Sequence, residues 1–220
     1  MNQELRNVLA ARVARDIPDG SYVNLGIGLP TLVANHLPKE KEVILHSENG
    51  VLGQWDAAMP GEEDWDLINA GKEAIRLERG AAFFHHADSF GMMRGGHLDI
   101  CVLGAFQVSE RGDLANWHTG AEDSIPAVGG AMDLAIGAKR VFVMMDFLTK
   151  EGKSKLLPRC TYPLTGLACV TRIYTDLATF EIQKEGVFVM EMIGERSPPE
   201  LQALTEVKLD FSLLKESQTT

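Results

Sequence analysis

The tetrapeptide Ser47-Glu48-Asn49-Gly50 places a carboxylate directly before Asn-Gly, the pair that most readily adopts positive φ values. The apolar segment Val43-Ile44-Leu45 precedes it and predicts a short strand. A sharp turn after that strand would project Glu48 from the carboxyl edge of a sheet, where open α/β folds bind ligands. A carboxylate held there can act as a base, a metal ligand or a nucleophile. The simpler interpretation is a hairpin turn with a solvated acid.

Two glycine-rich stretches could bring backbone N–H groups to the same edge. Gly26 and Gly28 follow the predicted strand 22–25, but the third glycine of a dinucleotide fingerprint is missing, which argues against a Rossmann cofactor site. Gly129-Gly130 follows Ile125-Pro126-Ala127-Val128 and precedes a segment that predicts a helix. Its amides could bind an oxyanion or a phosphate, and close backbone packing is the alternative.

Other groupings of reactive side chains are weaker. His85 and His86 are adjacent, so on a strand they would point to opposite faces, and we expect no metal site. The G-x-S-x-G turn of serine hydrolases is missing. The three cysteines form no C-x-x-C pair, which predicts reduced thiols in a cytoplasmic protein. A basic run is interpreted as a solvated face, with phosphate contact as the alternative: Lys150, Lys153, Lys155 and Arg159.

The elements that position these residues follow an α/β pattern. The continuous apolar runs 100–103 and 141–145 are typical of strands buried on both faces, which predicts an open, largely parallel sheet covered by helices. Residues 4–17 predict an amphipathic helix. Residues 178–182 and 187–192 flank a glycine-containing turn and predict a small antiparallel hairpin near the C-terminus. The stretch 54–66 predicts an acidic surface loop. We expect a single domain over residues 1–220.

The charge balance limits the possible partners. The 220 residues include 21 Lys+Arg and 31 Asp+Glu, for a formal net charge of −10. That charge disfavours binding to nucleic acid or to anionic membranes. No apolar run approaches the roughly 20 residues that a bilayer crossing needs, and the first residues predict no secretory signal.

Five motifs occur in an order that resembles the beta subunit of the class I 3-oxoacid CoA-transferases, over roughly residues 4–212. The stretches 83–90 and 117–122 are similar to the 3-oxoadipate branch of that family rather than to the acetoacetate branch. The motifs are Asn24-Leu25-Gly26-Ile27-Gly28, Ser47-Glu48-Asn49-Gly50, Met93-Arg94-Gly95-Gly96-His97-Leu98-Asp99, Gly112-Asp113-Leu114-Ala115-Asn116-Trp117 and Gly129-Gly130-Ala131-Met132-Asp133-Leu134.

The resemblance implies a NagB/RpiA/CoA-transferase-like fold and a nucleophilic role for Glu48. In this family the glutamate attacks an acyl-CoA thioester and then carries CoA as a glutamyl thioester. Gly129 matches the glycine whose N–H helps to form the oxyanion hole, and the other donor comes from an alpha subunit. The implied substrates are the CoA ester succinyl-CoA and a 3-oxo acid of the β-ketoadipate pathway of aromatic-compound degradation. Coenzyme A esters thus enter as substrates, and the resemblance implies no bound cofactor.

The resemblance also implies an incomplete binding site in this chain. CoA carries several phosphate charges, whereas the chain is net negative, so we expect the alpha subunit to contribute much of the CoA binding. The remaining candidate contacts to CoA or to the acid are Asn49, Gly50, Gly26, Gly28, Arg94, His86 and His118, the last three for a distal carboxylate.

One segment departs from the family pattern. Gln54-Trp55-Asp56 stand where relatives usually carry small Gly/Pro-rich residues, which predicts a differently shaped loop behind Glu48 and bears on the choice of acid. The alternatives left open are transfer to acetoacetate and a non-catalytic sensor of CoA esters on the same fold.

Overall fold

A ten-stranded sheet forms the frame of the protein, which a computed structural model describes over residues 2–120, 126 and 128–214. The strand order is β13-β12-β11-β10-β8-β5-β1-β2-β3-β4, and a second sheet has the order β7-β6-β9. The strands are β1 (Tyr22–Leu25), β2 (Ile44–Ser47), β3 (Val51–Ala57), β4 (Ile75–Phe83), β5 (Ile100–Gly104), β6 (Gln107–Ser109), β7 (Leu114–Ala115), β8 (Arg140–Met144), β9 (Leu156–Leu157), β10 (Val170–Tyr174), β11 (Ala178–Gln183), β12 (Gly186–Met192) and β13 (Leu209–Asp210).

The centre of the large sheet is parallel, as the apolar runs predict. Strands β10, β8, β5, β1 and β2 pair in parallel. Along β5, Ile100 and Val102 belong to the apolar cluster on one face, and Cys101 and Leu103 belong to the cluster on the other. This alternation within one continuous apolar run is what burial on both faces requires.

Helices cover both faces of this centre. Helix α1 (Gln3–Asp16) and a 3-10 helix (Leu29–His36) pack on one face, and α2 (His86–Arg94) and α3 (Ala131–Gly137) lie together on the other. The short α4 (Pro198–Gln202) begins after Ser197, whose backbone N–H donates to the Glu200 carboxylate at 2.7 Å. The described helices include none that is long and apolar enough to cross a membrane.

The predicted C-terminal hairpin is confirmed as β11 and β12, which extend the large sheet in antiparallel fashion. The α/β prediction is thereby confirmed, with a parallel centre and antiparallel strands on both sides. Glu122, Ile125, Ala127 and the tail 216–220, which the sequence interpretation also uses, lie outside the described residues.

The surface loop expected over 54–66 is confirmed for residues 58–66, which lie outside the helices and strands, with 61–66 exposed. The differently shaped loop expected at Gln54-Trp55-Asp56 is wrong, because these residues lie in β3, which pairs with β2 and β4. The pairing shifts register twice along β3, and these irregularities interrupt the alternation on which strand prediction depends. His85 and His86 lie at the start of α2 rather than on a strand, and His85 caps it by accepting a hydrogen bond from Ala87 N–H at 3.1 Å.

Candidate functional site

A cavity of about 670 Å³ lies where the parallel strands β1, β2 and β5 end. The carboxyl ends of parallel strands meet at one edge of a sheet, which is where open α/β folds bind ligands. The wall includes residues that directly follow these strands, namely Gly26 and Ile27 after β1, Glu48 after β2 and Ala105 and Phe106 after β5. The cavity wall near Glu48 also includes the Gly129-Gly130 turn, Gln54 and Trp55.

Glu48 occupies the first position of the tight turn between β2 and β3. The Gly50 N–H donates to the Ser47 carbonyl at 3.0 Å, and Gly50 has a φ of +109°. A Cβ at Gly50 would overlap the carbonyl oxygen of Phe84, so this position requires glycine for both its conformation and its space. The two interpretations of the tetrapeptide are therefore compatible, because the segment is a hairpin turn that also places Glu48 in the cavity wall.

Backbone segments around the turn hold it in place. The Asn49 side chain is exposed and donates from Nδ2 to the Ile68 carbonyl at 2.7 Å. The Ala70 N–H donates to the Ser47 hydroxyl at 2.9 Å. Because both bonds reach the 68–70 segment, Asn49 here fixes the turn that carries Glu48, and the described residues that line the cavity do not include it.

The Glu48 carboxylate lies against the diglycine turn that precedes α3. The Ala131 N–H donates to the Val128 carbonyl at 3.0 Å, which closes this turn. A Cβ built on Gly130 would overlap Oε2 of Glu48, so any other residue here would displace the carboxylate from this position. Gly129, with a φ of +49° and open space beside it, lines the same cavity. The structure thus brings the two predicted motifs together.

The surroundings of Glu48 make its carboxylate more basic. Burial raises the pKa of the Glu48 carboxyl group above its usual range, and the charge of Asp133 acts in the same direction. The charge of a protonated His86 opposes both. A carboxylate that is partly removed from water and held in place fits a nucleophile better than a solvated surface acid does.

Sequence reasoning missed a buried histidine directly behind the turn. His46 is fully buried, with Asn24 Nδ2 at 3.0 Å from its Nδ1 and the Ser89 hydroxyl at 2.9 Å from its Nε2. The Asn24 amide nitrogen can only donate, so Nδ1 accepts and the proton sits on Nε2, which donates to Ser89. Burial lowers the pKa of His46 to about 4, so the ring is neutral at physiological pH.

A sequence signal for this chain of hydrogen bonds exists. Asn24 and His46 are polar residues within two short apolar strands, and they are directly paired in the parallel register of β1 and β2. The Asn24 amide also donates to the His46 carbonyl at 3.1 Å. A polar residue at matching positions of two neighbouring predicted strands could have indicated this contact.

Three of the predicted substrate contacts lie apart from the cavity wall. Arg94 is exposed and pairs with Asp133 at 2.6 Å, with its guanidinium carbon 5.6 Å from the centre of the Phe90 ring. The His118 Nδ1 accepts from the Gly120 N–H at 2.8 Å. His86 packs edge-on against Phe90, with ring centres 5.0 Å apart. Among the described residues, the cavity-lining set includes none of Arg94, His118 and His86.

The remaining predicted residues divide between the wall and its support. The Gly26 N–H donates to the Val102 carbonyl at 2.8 Å and Gly26 lines the cavity, whereas Gly28, at a φ of +86°, begins the 3-10 helix. Of the basic run, Lys155 lines the cavity, and burial lowers its pKa. Within the described ranges, no group of three or more His, Cys, Asp or Glu side chains could hold a metal ion.

This chain is similar to known proteins that are described as CoA-transferases. The family model described as coenzyme A transferase matches residues 6–193. The chain is 69% identical over 204 residues to one subunit of the 3-oxoadipate CoA-transferase of Pseudomonas putida, covering 93% of this chain and 95% of that protein. It is 46% identical to one subunit of the probable succinyl-CoA:3-ketoacid coenzyme A transferase of Bacillus subtilis, covering 96% of each chain.

A solved structure supports the fold independently. An acyl-CoA transferase from E. coli O157:H7, in a thioester complex with CoA, superposes with a TM-score of 0.73 at 18% identity. The match covers 95% of this chain but 42% of that longer one.

Proposed function

Because this chain belongs to the coenzyme A transferase family, we propose that it is the catalytic subunit that transfers CoA from succinyl-CoA to 3-oxoadipate. The 69% identity to a relative named for 3-oxoadipate, against 46% to a relative named for 3-ketoacids, favours this acceptor over acetoacetate. The observation that carries the proposal is the Glu48 carboxylate, placed against Gly130 in the wall of a large cavity.

The proposed chemistry starts with attack by a carboxylate oxygen of Glu48 on the thioester carbonyl of succinyl-CoA. The C–S bond breaks, the CoA thiolate leaves, and a mixed anhydride joins the succinyl group to Glu48. The thiolate then attacks the glutamyl carbonyl, the C–O bond breaks, succinate departs, and Glu48 carries CoA as a thioester. 3-Oxoadipate reverses these steps and leaves as its CoA ester. No net hydrolysis or redox change occurs, so the CoA ester and the acceptor acid are the only reactants that the scheme requires.

Each step passes through a tetrahedral oxyanion that needs a hydrogen-bond donor. We assign one donor to the Gly129 N–H, because Gly129 lies in the turn that Glu48 touches and lines the same cavity. One donor of this kind contributes about 3 kcal/mol in comparable enzymes. The second donor and much of the CoA binding are assigned to a partner alpha subunit, since the relatives are named as subunits of their enzymes and this chain is net −10.

Water must be excluded while Glu48 is acylated, because an activated glutamyl group would otherwise hydrolyse. The turn that holds Glu48 is fixed on several sides by hydrogen bonds, which keeps the carboxylate at a defined position. Binding of the long CoA molecule at a distance from the reaction can supply the free energy that orders the closed site.

Mass spectrometry tests the proposal directly. The chain, assembled with its alpha subunit, is mixed with succinyl-CoA, trapped and digested. We expect a CoA adduct on the peptide that contains Glu48, discharged on addition of 3-oxoadipate. An adduct at another residue, or turnover with no protein-bound intermediate, would remove Glu48 from the mechanism. Binding of CoA esters without any exchange would indicate a sensor instead.

A further inference from the structure

Gln54 is a buried polar side chain whose oxygen has no hydrogen-bond partner in the described part of the chain. Its Oε1 accepts no hydrogen bond from any described residue, and the residue is only 6% exposed. Native proteins pair the large majority of such groups, because an amide oxygen removed from water without a partner destabilises the fold. Because Gln54 is also one of the residues that line the cavity, a ligand bound there can supply the missing hydrogen-bond donor.

The position of Gln54 on the sheet relates it to Glu48. Gln54 pairs with Leu45 across the β2–β3 ladder, three residues before Glu48, so the two backbones are about 10 Å apart along the strand. The register shifts between Leu45 and His46, where Gly53 on β3 has a φ of +80°. Bulges of this kind re-aim side chains, and here Gln54 contributes to the same wall as Glu48.

The chemistry of an unpaired oxygen limits the ligand group that it can bind. An acceptor needs an N–H or O–H donor. The carboxylates, the keto group and the thioester carbonyl of the substrates are themselves acceptors. The first donor along CoA from its sulfur is an amide N–H of the pantetheine arm, two methylene groups away. The terminal torsion of Gln is soft, so its oxygen can turn from the wall toward such a donor.

We propose that Gln54 binds the pantetheine arm of CoA by accepting a hydrogen bond from the amide nearest the sulfur while CoA is joined to Glu48. This inference rests on the proposed function, because it takes CoA as the group that Glu48 carries. It gives the β3 residue a binding role and makes the chain selective for thiols that carry an amide at that distance from sulfur.

The experiment compares two small thioesters in the assembled enzyme. Succinyl-N-acetylcysteamine retains the amide, and the succinyl thioester of 2-mercaptoethyl acetate replaces its N–H with an ester oxygen. We expect the wild-type enzyme to prefer the amide about fivefold to tenfold in kcat/KM, as one neutral hydrogen bond provides. Gln54→Met should reduce that preference to within twofold, with KM for 3-oxoadipate unchanged. Gln183→Met, at an exposed strand end, is the matched control that should keep the preference.

Three results would overturn the inference. The first is an amide preference that persists in Gln54→Met, and the second is a wild-type enzyme without that preference. The third is a change in selectivity among acceptor acids alone, which would assign the Gln54 amide nitrogen to the acid.

Thermal unfolding adds a separate measurement: Gln54→Met should be at least as stable as wild type, because an unpaired group is removed, whereas a structural glutamine would lose stability. A CoA adduct on Glu48 in an enzyme with no amide preference would contradict this inference but still support the proposed function.

Discussion

The large sheet carries an antiparallel hairpin on each side of its parallel centre, and the two hairpins differ in what surrounds them. In β11–β12, Phe180, Val187 and Val189 are buried in the apolar core, and the Phe180 ring stacks on Phe147 with centres 5.4 Å apart. In β3–β4, most residues of β4 are exposed or half-buried, and Phe83 at its end is 66% exposed.

The difference shows how one backbone arrangement serves two purposes. The C-terminal hairpin removes apolar side chains from water and so stabilises the fold. The β3–β4 hairpin and the turn that leads into it hold groups that are unfavourable for stability. These are the partly buried Glu48 carboxylate in the turn and, in β3, the Gln54 oxygen, which has no hydrogen-bond partner among the described residues. Functional sites commonly retain such groups, which the rest of the structure must offset. Substitutions in the two hairpins should therefore separate activity from stability.

The largest effect on activity is expected at Glu48. Glu48→Ala should abolish transfer, and Glu48→Asp should lower kcat about 100-fold or more, because the shorter side chain withdraws the nucleophile by about 1.5 Å. The free energy of unfolding should not fall in either variant, since the raised pKa means that ionised Glu48 disfavours the folded state at pH 7. Transfer assays and urea unfolding of the same preparations test this, and transfer by Glu48→Ala would contradict it.

The opposite outcome is expected at Phe180. Phe180→Ala should lower the free energy of unfolding by about 3–5 kcal/mol, because it opens a cavity in the core. The folded fraction should keep its kcat/KM within about twofold. Phe83→Ala applies the same change to the exposed end of β4 and should alter stability by about 0.5 kcal/mol at most. Equal losses of stability in the two variants would contradict the contrast between the hairpins.

Sequence patterns predicted the β11–β12 hairpin and not the β3–β4 hairpin, for a physical reason. Residues 178–192 show apolar segments around a glycine turn, because a core on one side imposes that pattern. Strand β4 has a mostly solvated surface and Gly80 at a φ of +96°, so its residues lack the apolar alternation from which a strand is predicted. The Glu48 turn and the diglycine turn could be identified from residue type, but their contact could not, because it depends on how separate strands end together.

His46 should make the Glu48 side of the sheet sensitive to acid. Its pKa is lowered to about 4, below the value of the unfolded chain, so its stabilising contribution is present above about pH 6.5 and is lost as the pH falls toward 4. The loss from this group amounts to about 3 kcal/mol at pH 4. His46→Gln should remove that part of the pH dependence in urea unfolding. The exposed His97→Gln is the control, and an unchanged pH dependence in His46→Gln would contradict the assignment.

A single methyl group should separate the geometry of the site from its folding. Gly130→Ala would place a Cβ on the Glu48 carboxylate, and a displacement of about 1 Å should lower kcat about 100-fold. Gly91→Ala, at an exposed position of α2 with open space around it, should leave transfer unchanged and raise stability by up to about 1 kcal/mol. At Gly130 the added methyl meets the Glu48 carboxylate, whereas at Gly91 it meets open space. Full activity in Gly130→Ala would place the carboxylate elsewhere.

The smallest expected effect concerns the acid limb of activity, which follows the ionisation of Glu48 in the free enzyme. A protonated His86 lowers the Glu48 pKa and Asp133 raises it, so His86→Ala should move the limb to higher pH and Asp133→Asn to lower pH, each by less than about one unit. Asp133→Asn also frees Arg94 from its ion pair, and that charge acts in the same direction. Added salt should narrow the separation, because these charges act partly through solvent. Shifts of the same sign in both variants would show that the acid limb belongs to another group. Opposite shifts would place the titrating carboxylate between His86 on α2 and Asp133 on α3, which is where Glu48 lies.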